Sequence, residues 1–292
     1  MSFLPVTVII LTYNESRNIR DCLQSICDFT DDIVIVDSGS NDDTLDIAAL
    51  YGCRIYEHPF ENYSKQRNWA LQNVDCRYNW ILNVDADHRL MPAFKDDLRQ
   101  KFAAGVPEEV KGFMASRRTM FMGRWIKHGA HYPVYHGVMF RRGSGYCEHK
   151  EYDQHFVIEG RSQLISGDII DIITDSLSTF VERHNKWSTL EARDALNLQS
   201  EAKKIKADRK GNVMEQRRYQ RLRYYSYPLF WRVFLYTLYR FVWKRGFLDG
   251  KEGVVFHFLQ GFWFRLLVDA KIYESRKNTT AAAPVKSKVE QL

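Results

Sequence analysis

The chain has 292 residues, 45% hydrophobic, 14% aromatic and 27% charged, which excludes a disordered tail, a collagen-like fibre and a small disulfide-stapled domain. Its formal charge of +6 conceals a division: residues 1–100 carry 9 Lys+Arg against 16 Asp+Glu, whereas residues 203–251 carry 14 against 3. Five scattered cysteines without a CxxC pair point to reduced thiols in a cytoplasmic compartment, and residues 1–5 lack the pattern of a secretory signal.

Residues 6–11 (VTVIIL) form a continuous β-branched run, the pattern of a buried parallel strand. A helix over about 17–27 follows, with Ile19, Leu23 and Ile26 on one side. Strands are expected at 33–36, 54–57 and 80–84, with helices at about 44–51 and 63–72 between them. This alternation predicts an α/β sheet flanked by helices. Polar clusters at 12–15, 37–43 and 85–87 each follow a strand, so all three fall on the edge where open α/β sheets bind ligands. With neither GxGxxG nor GK[ST], a dinucleotide binder or P-loop enzyme is not expected. Further strands are expected at 110–115, 138–141 and 156–159, and helices resume near 179, with a periodic stretch over 190–205. Residues 203–218 read as a low-hydrophobicity separator.

Two aromatic runs follow. Residues 229–243 read LFWRVFLYTLYRFVW, with Arg232 and Arg240 near one side of a helix; residues 253–270 read GVVFHFLQGFWFRLLVDA. Neither has about 18 uninterrupted apolar residues, so neither reads as a membrane span. Both suit helices lying in a membrane interface. Nucleic acid fits less well, because the aromatics are too continuous to alternate with basic residues on an exposed face.

Asp85 and Asp87 lie two apart after the 80–84 strand. In an extended exit both carboxylates reach one hard cation, Mg²⁺ or Mn²⁺, while a diphosphate fills its remaining positions; a solvated turn is the plainer reading. Asp37 is followed by small residues able to present N–H groups to a nucleoside, and a helix cap at Ser40, Asn41 or Asp42 is compatible with that role. Glu15 suits a ribose hydroxyl or a salt bridge with Arg17 or Arg67. Arg67 itself suits a phosphate or an acidic residue. In residues 148–156, Asp153 and Glu151 are candidates for the base that an attacking hydroxyl requires, with pairing to Lys150, Arg141 or Arg142 as the alternative.

The runs VTVIILTYNESRNIRDCLQSI, IVIVDSGSNDDT, ENYSKQRNWAL and WILNVDADHRL together resemble the inverting family 2 glycosyltransferases, which have a GT-A fold. Within that family they resemble bacterial transferases that build lipopolysaccharide cores, capsules or exopolysaccharides. MGRWIKHG, YDQHFVIEG and HNKWSTLEA resemble the same branch, so the likeness spans about residues 5–275. The expected fold is a mixed, mostly parallel sheet flanked by helices, with a helical aromatic-rich C-terminal extension. The expected domains are a GT-A domain over 1–202 (nucleotide-sugar half about 1–100, acceptor half about 101–202), a basic amphipathic membrane-associating region over 203–275, and a disordered tail over 276–292.

The resemblance implies that Thr12, Glu15 and Asp37 contact the nucleoside, that Asp85 lies near ribose or metal, and that Asp87 ligates the cation. It places Arg67 beside the donor. Related enzymes often carry His-Glu where this chain has Asp153-Gln154, which leaves Asp153 as base with Glu151 in reserve. His184 and Trp187 fall near the expected acceptor side. The implied reaction transfers a sugar, a hexose by default, from a UDP-linked donor to a hydroxyl of a lipid-linked or oligosaccharide acceptor. It proceeds with inversion and divalent-metal assistance, on the cytoplasmic side of a bacterial inner membrane. A sugar-phosphate nucleotidyltransferase is one alternative, although TYNE stands where its Gly-rich loop belongs. A catalytically inactive nucleotide-sugar-binding scaffold is another.

Overall fold

A computed structural model describes residues 3–173, 176–196 and 205–282, the side chains of 279–282 excepted. The first half alternates as expected: β1 (Val6–Thr12), α1 (Ile19–Ile26), β2 (Asp32–Asp37), α2 (Thr44–Leu50), β3 (Arg54–Glu57), α3 (Tyr63–Asn73) and β4 (Trp80–Asp85). After it come β5 (His88–Leu90), α4 (Pro92–Ala103), β6 (Val110–Phe121), β7 (Arg124–Trp125) and β8 (Tyr135–Arg141). A small β9 (Gly145–Cys147) and β10 (Phe156–Ile158) ribbon and the long β11 (Arg161–Ile172) complete the strands. The main sheet runs β3-β2-β1-β4-β8-β6-β11-β5, with β7 on β6. Strands β1 to β4 pair in parallel, β8 runs against both β4 and β6, and β11 returns parallel to β6. The architecture is therefore a mixed, mostly parallel sheet flanked by helices.

Strand alternation decides which core each residue enters. Val6, Val8 and Ile10 of β1 pack with Ile19, Leu23 and Ile26 of α1 and with Phe94 and Leu98 of α4. Ile9 points the other way, toward Val34, Val36 and Ala70, the last on α3. Each fully buried side chain of this kind contributes roughly 1.5–3 kcal/mol. Local signals set the helix starts: Asn62 accepts from the Lys65 N–H at 2.9 Å to cap α3, and Pro92 opens α4.

The C-terminal part comprises α5 (Leu177–Leu196), α6 (Val213–Ser226), α7 (Trp231–Leu238), α8 (Gly250–Phe256) and α9 (Phe264–Ala282). A π-helical turn extends α7 over Tyr239–Trp243, another joins α8 to α9 over His257–Trp263, and a 3-10 turn at Gly246–Asp249 precedes α8. Phe264, Val268 and Ile272 of α9 pack with Ala192 of α5. The extension is also clipped to the sheet domain: Asp249 accepts from the backbone N–H groups of Lys127 and His128, and the Gly129 N–H donates to the Lys244 carbonyl at 2.9 Å. A Cβ at Gly129 would fall 2.2 Å from the His257 ring, and its φ of 69° favours glycine as well.

Several elements depart from expectation. The stretch read as a separator contains the start of α6, nucleated by a capping box between Asn212 and Glu215. Helix α9 runs past the expected start of the tail at 276. The 202/203 boundary and residues 197–204 of the expected 190–205 helix lie outside those described, and Ile205, its expected end, is not helical.

Candidate functional site

The parallel register sets Thr12 beside Asp37 and Leu11 beside Asp85, so the carboxyl ends of β1, β2 and β4 share one edge. A cleft of about 540 Å³ opens there, lined by Thr12, Glu15, Asp85 and Asp87 from that edge. Asp153, on the loop between β9 and β10, lines the same cleft, as do His184 and Trp187 of α5. Asp171 joins them, because β11 pairs with β5 and sets Asp171 opposite His88.

The acidic wall carries more negative charge than its own cations balance. Burial would raise the Asp85 carboxyl, but Arg67, then His88 and Arg117, outweigh it and hold Asp85 below the usual range. Asp87 goes the other way: burial and the charges of Asp171, Asp85 and Glu15 push it well up. Burial raises Asp171 to about 6 against the pull of Arg117, with Asp85 adding to the rise. A divalent ion relieves such crowding, and carboxylate oxygens suit Mg²⁺ or Mn²⁺. Asp85, Asp87 and His88 each offer one ligand atom within 4.8 Å of the others. His88 is held neutral, its pKa brought to about 3 by burial and then Arg117. Its Nδ1 accepts from the Asp85 N–H at 3.1 Å, so Nε2 carries the proton and faces the two carboxylates at 3.7 and 3.9 Å. In that tautomer the His88 N–H faces the two carboxylates without bonding to either.

Three residues expected in contact with substrate stand elsewhere. Arg67 is buried and does not line the cleft. It donates to the Val84 carbonyl at 2.6 Å, to the Ile9 carbonyl at 3.2 Å, and to Asp85. Of the two partners weighed for it, it serves the acidic residue, and it acts by positioning Asp85. Asp37 is fully buried, and its oxygens accept from Thr12 Oγ1 at 2.6 Å, the Gly39 and Ser40 N–H groups at 2.9 and 2.7 Å, and Ser40 Oγ at 2.6 Å. It shapes the loop that bounds the cleft, where Ser38 is the lining residue. Glu151 is exposed and 3.9 Å from Arg193, outside the cleft.

Asp153 has a left-handed backbone (φ 54°), a conformation aspartate tolerates better than most residues. Burial opposes its charge, yet His155, Arg221 and Lys150 hold it well below the ordinary carboxylate range, so it is ionised at neutral pH. Its closest cation is Arg221, at 2.6 Å. His184 stacks on Phe180 at 3.7 Å between ring centres and shares Nδ1 with the Phe180 carbonyl at 2.8 Å. Burial lowers its pKa to about 4, so it is neutral. Trp187 packs on Tyr152.

Asp171 and Arg117 were not anticipated. The β-branched run around Asp171 (DIIDII) signals a strand, but only the β11–β5 pairing aims that strand at the D-x-D turn.

The family model for glycosyl transferase family 2 matches residues 7–108, the segment that builds this cleft edge. Over that segment the chain is similar to glycosyltransferase family 2. An uncharacterised glycosyltransferase of Rickettsia typhi is 29% identical over 118 residues, 40% of each chain. The lipopolysaccharide core biosynthesis glycosyltransferase LpsC of Rhizobium meliloti is 29% identical over 196 residues, 65% of this chain and 71% of that protein. The match thus spans about two-fifths of the length of the first relative. Glucosyl-3-phosphoglycerate synthase from Mycobacterium tuberculosis, solved with Mn²⁺, uridine diphosphate and glucosyl-3-phosphoglycerate, aligns at TM-score 0.32 and 20% identity. That alignment covers 39% of this chain and 43% of that one, too distant a likeness to inform this site. The sheet is a mixed α/β one flanked by helices, and the acidic turn at its edge is a candidate cation site.

Proposed function

We propose that the protein transfers a hexose from a UDP-linked donor to a hydroxyl of a lipid-linked or oligosaccharide acceptor, inverting the anomeric centre. The observation that carries this reading is the convergence of Asp85, Asp87 and Asp171 with Asp153 in one cleft beyond the parallel strand ends. Asp87, with Asp85, would hold Mg²⁺ or Mn²⁺, which supplies Lewis-acid stabilisation of the departing diphosphate. Thr12, Glu15 and the loop ordered by Asp37 bound the nucleoside end. Asp153 takes the proton of the acceptor hydroxyl as its oxygen attacks the anomeric carbon. The bond to the diphosphate oxygen breaks on the opposite face, and its electron pair leaves with the nucleoside diphosphate. His184 and Trp187 shape the acceptor end, where a neutral ring and an indole suit the face of a sugar. Release of UDP from UDP-glucose, measured with Mn²⁺ and with EDTA, tests the reading. Metal-dependent release in the wild type and a loss of at least about 100-fold in Asp87→Asn are expected, whereas turnover indifferent to both changes would refute the metal role.

The same proposal places the enzyme on the cytoplasmic face of a bacterial inner membrane. Among the described residues no helix is long and apolar enough to cross a membrane. Helix α7 and its π turn are instead reversed relative to a water-facing helix. Arg232 and Arg240 are only 3% and 4% exposed, while Trp231 and Trp243 are 71% and 80% exposed, with Phe234, Leu235 and Leu238 beside them. An outward apolar face of this kind, on a basic segment, supports interfacial binding to anionic lipid.

A further inference from the structure

The same cleft is lined by Arg217 of α6, Tyr236 of α7, Arg240 of the π turn that follows and Arg265 of α9, and the charge of this wall is reversed. Around Tyr236 stand Arg217, Arg240 and Arg265, and Arg221 joins Arg265 at Glu191. Arg221 lies 3.0 Å and Arg265 2.6 Å from that carboxylate, and Arg221 also holds Asp153. Arg240 meets only neutral partners among the described residues, the Gly129 carbonyl at 2.9 Å and His131 at 3.5 Å. Arg217 has no carboxylate at ion-pair distance among the described residues, although its helix neighbour Arg218 is fully engaged by Glu148. Four guanidinium groups therefore face two carboxylates.

The field they create is visible on the phenol between them. Burial alone would raise Tyr236; Arg240, Arg265 and Arg217 outweigh it and hold the phenol below its ordinary value. Every other described tyrosine with a resolved shift moves upward. A second recess, of about 240 Å³, shares Asp153, Arg217, Tyr236 and Arg265 with the main cleft and extends to Tyr239, on the exposed apolar face.

We propose that Arg217 and Tyr236 form a subsite for a phosphate group carried by the acceptor, placed so that the acceptor hydroxyl lies at Asp153. This rests on the glycosyltransferase reading and adds the acceptor's chemistry to it. Guanidinium forks bind phosphate oxygens bidentately, and the Tyr236 hydroxyl, which has no hydrogen-bond partner among the described residues, supplies a further donor. The acidic wall repels a second phosphate, so the two walls of the cleft sort a cation-bound donor diphosphate from a metal-free acceptor phosphate. The phosphate belongs either to a lipid diphosphate entering past Tyr239 or to a phosphorylated sugar.

The test is calorimetric titration of the full chain, first saturated with UDP and Mn²⁺, with geranyl diphosphate, glucose 1-phosphate and the uncharged controls geraniol and methyl glucoside. At least one phosphate probe is expected to bind more tightly than its uncharged control. Arg217→Gln should weaken that binding at least about tenfold and Arg217→Lys less, with thermal midpoint and UDP·Mn²⁺ affinity unchanged. Tighter binding of geranyl diphosphate identifies a lipid source, and tighter binding of glucose 1-phosphate a phosphorylated sugar. Phosphate binding unchanged in Arg217→Gln, binding of neither probe, or displacement of UDP by the probes would overturn the subsite. Failure of the wild type to take up UDP and Mn²⁺, with Arg217-dependent phosphate binding intact, would overturn the donor reading alone.

Discussion

Asp153 and Glu151 are two residues apart on one loop, yet only Asp153 lines the cleft. The left-handed turn at Asp153 separates their directions. An ionised carboxylate beside the attacking hydroxyl contributes about 10²–10⁴ in rate. Asp153→Asn should therefore lower kcat by that order with the donor KM little changed, while Glu151→Gln should leave both within about twofold; steady-state kinetics on the two variants decides between them. Arg67 carries a related lesson. An arginine near a D-x-D turn invites a phosphate assignment, but its partners are two backbone carbonyls, the Tyr63 hydroxyl and Asp85. No residue spacing distinguishes a guanidinium aimed at a ligand from one aimed at the ligand's own ligand.

At the level of elements, two buried ion pairs hold the C-terminal helices in place. Glu148, at the end of β9, binds Arg218 of α6 through both oxygens at 2.6 Å. Burial would raise this carboxyl, but the His155 hydrogen bond and the Arg218 charge bring it to about 2, from an ordinary 4.5. Because the folded value is depressed, the stabilisation is present above pH 4.5 and is lost as pH falls toward 2, where the unfolded state binds the extra proton first. It is worth roughly 3 kcal/mol. Urea titrations should show Glu148→Gln less stable than wild type at pH 7, with the gap narrowing between pH 4.5 and 2.5. Asp269 of α9 accepts from Arg232 Nε and Nη2 at 3.0 and 2.5 Å, and from the Phe230 N–H at 2.7 Å. Asp269→Leu strands a buried guanidinium and should cost about 3–5 kcal/mol by chemical denaturation. The double change Arg232→Met/Asp269→Leu should cost less, because no charge is left uncompensated.

Taken whole, the molecule sets an acidic half against a basic one, with the cleft between them and an apolar face on the basic side. If that face meets a membrane, Trp231→Glu with Trp243→Glu should weaken binding to phosphatidylglycerol vesicles at least about tenfold, with an unchanged thermal midpoint; equal binding would leave the face without that role. Much of this arrangement is legible in the amino-acid order. The β-branched runs, the loop after each and the spacing of Asp85 and Asp87 are local signals, because strand burial and carboxylate direction follow from period-two geometry over a few residues. Even the reversal of α7 is foreshadowed by two arginines eight apart. Other features needed the fold. Asp171 reaches the D-x-D turn only through the pairing of β11 with β5, and Asp37 is withdrawn from the cleft by hydrogen bonds from Thr12, Gly39 and Ser40. The pairing of one arginine and the freedom of its neighbour on α6 depend on which carboxylates distant strands and helices carry to them. Sequence by itself determined the sheet, its ligand-binding edge and the acidic turn, since these arise from neighbours along the chain; tertiary structure alone decided which charges are spent on one another and which remain for a ligand, since ion pairing depends on distances between segments far apart in sequence.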